Sequence, residues 1–360
     1  MKRKVGILTY HDALNYGAVL QAYALRRSLR KIGVPDVEVI DYKNPEVMSA
    51  ADLKGLLFSG GIKGILLFVT RIGVVSRFKR FRVGKLHLSK ELKTQKEFEE
   101  YVRGLDHVVV GSDQVWNEKW NNCDEVFFLN VDMDNNKKGS YAASFGFEQL
   151  EEDKKEIYKK RLSGFSSLSV REHSAKEIVE NTLGLSCEQN IDPVLLLNRE
   201  EWEKITVDIK PKKPYILLYL VPYQKEVVEY AVKLAKEKGM KILMASRSFR
   251  NWSLLHVGSS SPEKFLGLVK NADMVITNSF HGTAFSVVFE KKAVIMLNNA
   301  RGYNVRSRDL LAMCKIVDED FKGEKVETDN VDWTFVKQVL KKEQSRSKKY
   351  LKDMLNGKES

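Results

Sequence analysis

The feature that most constrains the fold is a repeated order of short apolar strand, polar junction and amphipathic helix. Residues 4–9 form an apolar run typical of a buried strand, and residues 15–31 then carry apolar side chains at helical spacing. Gly33 follows where a helix C-cap is expected, and residues 37–40 predict the next strand. A strand, a helix and a second strand form the building block of a parallel sheet, so we expect an α/β fold.

The same order runs through the whole chain and restarts in its second half. A chain of 360 residues is too long for one ordinary core, so two domains are expected. We place the boundaries to give an α/β domain at 1–198, a second at 199–328 and a C-terminal helix at 329–360. Further predicted strands are 107–110, 138–144, 167–170, 189–192, 215–220, 241–245, 274–277 and 293–297. Further predicted helices lie within 86–105, 151–164, 174–182, 224–238, 262–270, 281–290 and 333–355.

The chain is basic, with a formal net charge of +12 and a pI near 9.3. Such a charge suits nucleic acid, an anionic membrane surface or phosphorylated substrates. The basic residues are spread over predicted helices, often beside Glu, and form no dense arm with interleaved aromatic residues. We therefore expect no nucleic-acid partner and favour a small anionic ligand.

Cysteine usage and hydropathy point to a cytoplasmic protein. Cys123, Cys187 and Cys314 are far apart and form neither a disulfide framework nor a zinc motif, so no metal is expected. The first residues do not resemble a signal peptide. Residues 55–75 are apolar but are interrupted by charged residues and glycines, which favours buried or edge helices. Together with the basic run that follows, residues 55–85 also fit a peripheral contact at the inner face of the membrane.

Two polar junctions in the first half are candidate ligand sites, because ligands bind beyond the carboxyl ends of strands in open α/β sheets. The first holds Asn15, Tyr16 and Gly17, where a helix N-terminus favours an anion, although Asn15 also fits a simple N-cap. The second follows a run of valines. It contains Ser112, Asp113, Gln114, Trp116 and Asn117.

The second junction allows two interpretations. Asp113 suits a general base or a partner for a sugar hydroxyl, while Ser112 and Asp113 also fit local turn caps. Trp116 fits equally a core aromatic residue or a surface on which a sugar stacks. A third junction ends in Arg171, which suits a carboxylate or phosphate, or else an ion pair with Glu172.

The fourth junction is the strongest candidate for an anion site. An apolar strand ends in small polar residues, a histidine, a glycine and a predicted helix. Hydroxyl groups and backbone amides would meet a phosphate at the positive end of this helix, and His281 can donate a charged hydrogen bond or act as a general acid. Arg306 and Arg308 in the following segment suit the same anion or a plain surface loop. The predicted ligand contacts are Asn278, Ser279, Phe280, Gly282 and Thr283.

Six phrases of the sequence, in this order, resemble the polysaccharide pyruvyl transferase family. They are LTYHDALNYGAVLQAYAL, VVVGSDQVWN, YAASFG (which contains Ser144), SVREHSA, IDPVLLL and VITNSFHGTAFSVVFEKKAVIM. The match runs from Val5 to about Leu311. Members of the family often carry Arg-Leu-His-Gly where this chain has Ser279-Phe280-His281-Gly282.

The resemblance implies two Rossmann-like domains with a central cleft, similar to the GT-B glycosyltransferases. It implies phosphoenolpyruvate as donor, without another cofactor, and a sugar or lipid-linked glycan as acceptor. The product would be a pyruvate ketal on an exopolysaccharide or capsule. The first domain would be the acceptor side and the second the donor side, with His281 and Arg171 matching the family's donor residues. A nucleotide-sugar glycosyltransferase is the alternative function.

Overall fold

The computed structural model describes residues 3–43, 72–122, 124–209, 211–245, 255–256, 260–297 and 304–357. The chain divides into two compact units. Unit 1 comprises Met1–Asp52, Arg80–Leu196 and Lys341–Ser360. Unit 2 comprises Leu53–Lys79 and Leu197–Leu340.

Unit 1 alternates strands with helices. Its strands are β1 (Lys4–Leu8), β2 (Asp36–Val39), β3 (His107–Val110), β4 (Lys138–Ser140), β5 (Ser169–Val170) and β6 (Glu188–Gln189). Its helices are α1 (Tyr16–Lys31), α2 (Gln95–Val102), α3 (Glu118–Asn121), α4 (Lys155–Leu162) and α5 (His173–Glu177). Residues 72–81 form a further helix, in which the residues up to Lys79 belong to unit 2 and the last two belong to unit 1. Short 3₁₀ and π turns add Arg82–Leu86, Glu125–Phe128, Asn135–Lys137, Glu152–Lys154, Ile178–Thr182 and Pro193–Leu196.

The main sheet of unit 1 is parallel and has the order β2-β1-β3-β4. The chain moves from β1 to β2 on one side and later returns to place β3 on the other side. The gap between the carboxyl ends of β1 and β3 is therefore a topological switch point, the usual ligand position in such sheets. Helix α1 buries the stripe that the sequence predicts, including Ala18, Ala22, Leu25 and Leu29.

The described residues of unit 2 contain six strands in the order β12-β11-β10-β7-β8-β9. The strands are β7 (Tyr215–Tyr219), β8 (Lys241–Met244), β9 (Leu255–His256), β10 (Met274–Thr277), β11 (Ala293–Met296) and β12 (Lys325–Glu327). The helices are α6 (Arg199–Glu203), α7 (Lys225–Lys238), α8 (Pro262–Asn271), α9 (Phe280–Val288) and α10 (Val305–Met313). Among the strands that the structure describes in this unit, only the edge strand β12 is antiparallel to its neighbour.

The order of unit 2 is that of a Rossmann fold, and its switch point lies between β7 and β10. The core under this edge is formed by Ile216, Leu218, Val227, Ala231 and Ile276. The two units thus repeat one plan, with one switch point each. This confirms the expected α/β fold with parallel sheets.

The last helix, α11 (Trp333–Asn356), begins in unit 2 and continues into unit 1. Within unit 1, the Tyr350 hydroxyl donates to the Ser140 carbonyl at 2.9 Å, and the side chain of Gln344 donates to the Leu195 carbonyl at 2.7 Å. Met354 packs directly on Gly139 of β4. The final turns of α11 are therefore part of the core of unit 1.

Some local predictions need correction. The strand predicted at 138–144 ends at Ser140, because Ala142 adopts a positive φ of 46° that an extended strand does not allow. The segment that contains Arg306 and Arg308 is helix α10 rather than a loop. Residues 44–71, which hold most of the 55–85 segment, lie outside the described residues. Within the described part of the chain, no helix combines the length and apolar character that crossing a bilayer requires.

Candidate active site

Two loops meet at the switch point of unit 1. The Thr9 hydroxyl, just after β1, donates to the Ser112 carbonyl, just after β3, at 2.7 Å. Gly111 has a φ of 111°, and a Cβ there would lie 2.4 Å from the Tyr141 carbonyl oxygen, so only glycine fits. The loop that presents Asp113 is therefore held from both sides of the switch point.

Asp113 is half-buried and has a positive φ of 76°, which is uncommon for a residue other than glycine. Its carboxylate accepts a hydrogen bond from the Gln114 amide at 2.9 Å. Asn117 caps α3 through the Lys119 amide and also contacts the side chain of Gln114. Residues held in such conformations concentrate at functional sites, which keeps Asp113 as a candidate.

Arg171 follows β5 and is surrounded by carboxylates. Its guanidinium lies 2.5 Å from Asp192, 3.6 Å from Glu172 and 3.9 Å from Asp113, and only 3% of the side chain is exposed. Burial alone would lower the pKa of Arg171, but the carboxylates of Asp192, Glu172 and Asp113 raise it above its usual value. Arg171 is therefore a cation whose charge is balanced within unit 1.

This environment argues against the predicted role of Arg171 as the clamp of an anionic donor. Three carboxylates beside one guanidinium leave a local excess of negative charge, which repels a phosphate or carboxylate. The Ser144 hydroxyl adds to this cluster by donating to the buried Glu172 carboxylate at 2.6 Å.

The aromatic residues after β3 have opposite environments. Trp116 is fully buried, packs on Phe145 and donates its indole N–H to the Phe127 carbonyl at 3.2 Å. Trp116 is thus a core residue, which corrects its prediction as a sugar-stacking surface. Trp120 on α3 is 54% exposed, and sequence reasoning missed it.

Asn15, Tyr16 and Gly17 form the start of α1. The Asn15 side chain accepts from the Gly17 amide at 3.0 Å, so it caps the helix. Tyr16 and Gly17 are buried in the first turn. The capping interpretation thus accounts for Asn15, while all three residues remain at the switch-point edge of unit 1.

The switch point of unit 2 carries the histidine motif. The Thr277 hydroxyl at the end of β10 donates to the Tyr219 carbonyl of β7 at 2.6 Å, and Thr277 Oγ1 accepts from the Ser279 amide at 3.0 Å. A Cβ at Gly282 would lie 2.1 Å from Thr277 Oγ1. The glycine therefore lets α9 begin directly against the strand end.

The side chain of Asn278, just after β10, forms hydrogen bonds to the loop that follows β7. Its side-chain oxygen accepts from the Val221 amide at 2.8 Å, and its NH₂ donates to the Pro222 carbonyl and the Gln224 side chain, both at 2.9 Å. This arrangement differs from the predicted role of Asn278 as a ligand contact. It holds the loop after β7 beside the start of α9.

The first turn of α9 presents polar groups and no acidic residue. Ser279 precedes the helix in extended conformation, and Thr283 closes the turn by donating to the Ser279 carbonyl at 3.1 Å. The His281 ring packs edge-on against Phe280 at 5.1 Å, and the Arg306 guanidinium lies 5.7 Å from the Phe280 ring centre. The first N–H groups of a helix attract anions, and here His281 and Arg306 lie at the same end.

Arg308, the other predicted arginine, serves a different purpose. Its guanidinium donates to the backbone carbonyls of Phe321 and Gly323. These bonds hold the segment that leads to β12. The prediction of Arg308 as an anion contact is therefore corrected to a structural role within unit 2.

Sequence reasoning also missed a buried charged cluster in unit 1. His11 lies 2.7 Å from Asp41, and Lys43 lies 2.7 Å from both Asp41 and Asp12. Burial alone would raise the pKa of Asp41, but hydrogen bonds from His11 and Lys43 lower it to about 2. His11 and Asp12 stand in the first family-like phrase, which was the available signal. In the described ranges, no group of three or more His, Cys, Asp or Glu side chains is arranged to hold a metal.

Solved structures share this fold at low sequence identity. UDP-N-acetylglucosamine 2-epimerase from Rickettsia bellii superposes with a TM-score of 0.50 and 12% identity, covering 99% of both chains. The MnaA–UDP structure from S. aureus gives a TM-score of 0.52 at 10% identity, covering 98% of this chain and 91% of that chain. These similarities identify a GT-B-like α/β fold.

Sequence comparison identifies the family. No curated protein sequence matches the chain. A sequence profile of polysaccharide pyruvyl transferases matches residues 15–300, which include the switch point of unit 2 and the motifs at Asp113, Arg171 and His281. The chain therefore belongs to the polysaccharide pyruvyl transferase family.

Proposed function

We propose that this protein transfers a pyruvyl group from phosphoenolpyruvate to two hydroxyl groups of a sugar in a cell-surface glycan, forming a ketal. The observation that carries the proposal is the contrast between the two switch points. Residues 219–224 and 277–283 of unit 2, which include His281, contain no carboxylate, and the Arg306 guanidinium lies over the Phe280 ring. This environment suits an anionic donor. In unit 1, Asp113 lies beside Arg171 in an acid-rich setting, which suits an uncharged hydroxyl acceptor.

The reaction needs an acid, a base and a phosphate site. Protonation of the methylene carbon of phosphoenolpyruvate creates a cationic centre at the carbon that bears the phosphate. One sugar hydroxyl attacks this centre and loses its proton. The bond to phosphate then breaks, and the second hydroxyl attacks the same carbon to close the ketal. Inorganic phosphate is the other product.

The residues divide between the two halves of this chemistry. His281 acts as general acid or phosphate ligand, with Arg306 and the N–H groups of α9 holding the anion. Asp113 acts as the base for the sugar hydroxyl. Arg171 positions Asp113 through the 3.9 Å ion pair rather than touching the donor.

Trp120 is the proposed contact surface for the acceptor glycan. It follows the Asp113 loop directly, on a short helix that is fixed by the Asn117 cap and by an ion pair between Glu118 and Lys154. An aromatic face held on a rigid turn offers apolar contact area to a sugar ring at low entropic cost. The fully buried Trp116 cannot serve this purpose.

Donor binding tests the function. The melting temperature is measured with phosphoenolpyruvate and, separately, with nucleoside diphosphate sugars, since a ligand specific to the folded state must raise it. We expect a rise with phosphoenolpyruvate that is lost in His281→Ala. A rise only with a nucleotide sugar would favour the glycosyltransferase alternative. Incubation with a panel of methyl glycosides then tests for release of phosphate and ketal formation.

A further inference from the structure

His11 lies at the switch point of unit 1 and takes no part in the chemistry proposed above. It follows β1, and its residue is only 2% exposed. Its Nδ1 lies 3.0 Å from the Thr9 carbonyl oxygen, and its Nε2 lies 2.7 Å from Asp41 Oδ1. Both nitrogens of the ring are therefore within hydrogen-bonding distance of oxygen atoms.

The two partners hold the ring from both sides. A carbonyl oxygen and an ionised carboxylate only accept hydrogen bonds, so each ring nitrogen faces an acceptor. Burial alone would raise the pKa of Asp41, but the hydrogen bonds from His11 and Lys43 lower it to about 2. The Asp41 carboxylate is therefore a fixed, charged partner for the ring.

The same contacts lead from His11 to the candidate base. His11 holds the Thr9 carbonyl, and the Thr9 hydroxyl holds the Ser112 carbonyl at 2.7 Å. Ser112 immediately precedes Asp113. The side chain of Gln21 donates to the Thr9 hydroxyl at 2.8 Å, which fixes this intermediate residue from α1.

We propose that His11, held between Thr9 and Asp41, is a positioning residue for the loop that presents Asp113. The ring connects the residues after β2, where Asp41 lies, to the residues after β3. The catalytic part of this proposal depends on the role proposed for Asp113. The rigidity of the loop does not depend on it.

The groups around Asp41 hold it in place on the far side of the ring. Asp41 Oδ1 lies 2.7 Å from both His11 Nε2 and Lys43 Nζ, while Asp12 pairs with Lys43 and Arg82. The backbone amide of Asp41 is also held, since it donates to the Ser89 hydroxyl at 2.9 Å. Asp41 thus gives the His11 ring a fixed partner after β2.

Amide hydrogen exchange and kinetics test the positioning role. Glutamine has one nitrogen in place of the two separated ring nitrogens, so His11→Gln should lose one of the two contacts and speed exchange at Ser112 and Asp113 at least tenfold. The melting-temperature shift with phosphoenolpyruvate should stay unchanged, while kcat should fall about tenfold with an unchanged donor KM. His87→Asn is the matched control and should alter none of these quantities. Unaltered exchange at Ser112 and Asp113 in His11→Gln would overturn the positioning role, whatever reaction the protein catalyses.

Discussion

The two switch points share a backbone plan but differ in charge. In each unit, a threonine hydroxyl at one strand end donates to a carbonyl at the other, through Thr9 in unit 1 and Thr277 in unit 2. Unit 1 then adds buried carboxylates and compensating cations, whereas residues 219–224 and 277–283 of unit 2 include His281 and no acid. The difference teaches that one backbone plan accepts a carboxylate-rich switch point in one unit and a switch point lined by carboxylate-free segments in the other.

The strongest test of this contrast compares His281→Ala with Asp113→Asn. Loss of a general acid or base lowers turnover by about 10²- to 10⁴-fold, so kcat should collapse in both variants. Only His281→Ala should also abolish the melting-temperature shift with phosphoenolpyruvate, because the donor site is assigned to unit 2. The contrast between the units fails if Asp113→Asn loses this shift or if His281→Ala keeps it.

Replacing Arg171 tests whether its charge stabilises unit 1 or binds the donor. Arg171→Met leaves its carboxylate neighbours without their cation, and breaking such a buried pair costs about 3–5 kcal/mol in the free energy of unfolding. Urea denaturation measures this loss. Arg103→Met removes an exposed pair with Asp132 and should change stability little. A stable Arg171→Met protein with weakened phosphoenolpyruvate binding would restore the donor-clamp role.

Two arginines of α10 offer a matched pair within unit 2. Arg306→Ala should weaken phosphoenolpyruvate binding about tenfold without loss of stability, because a charged contact to the anion is removed. Arg308→Ala should instead lower the free energy of unfolding by about 1–3 kcal/mol, since it removes the bonds to the Phe321 and Gly323 carbonyls. Isothermal titration and urea denaturation separate the two effects. Equal binding losses in both variants would contradict the distinction.

Trp120 gives the smallest expected effect. Trp120→Ala removes the aromatic contact surface and should raise the acceptor KM about fivefold, a loss of about 1 kcal/mol, with the donor KM unchanged. Val232→Ala removes another exposed apolar side chain, in unit 2, and serves as control. Steady-state kinetics with one methyl glycoside acceptor make the measurement. An unchanged acceptor KM would exclude Trp120 from the acceptor site.

The sequence predicted the positions of helices and strands better than it predicted which strands and side chains contact one another. The helical spacing of Ala18, Ala22 and Leu25 identified α1, because burial of one face follows directly from the period. The switch points follow from strand order, which depends on pairings between distant segments and leaves no local pattern. Arg171 illustrates the limit, since its partners Asp113 and Asp192 come from far along the chain in both directions.

Similar residues at neighbouring positions were equally hard to separate. Trp116 and Trp120 are both followed by Asn, yet Trp116 is buried and Trp120 is exposed. Arg306 and Arg308 also have different environments. The Arg306 guanidinium lies over the Phe280 ring, whereas Arg308 donates hydrogen bonds to backbone carbonyls. Tertiary packing decides these cases, and a helix position two residues away points in a different direction.

The path of α11 has a consequence for the order in which the protein matures on the ribosome. Unit 2 ends at Leu340, while unit 1 needs Lys341–Ser360, whose Met354 and Tyr350 pack against β4. At about 5–20 residues per second, the segments of unit 1 up to Leu196 wait for roughly 8–33 seconds before their last helix is made. The unit whose first segments are made earliest is therefore completed last.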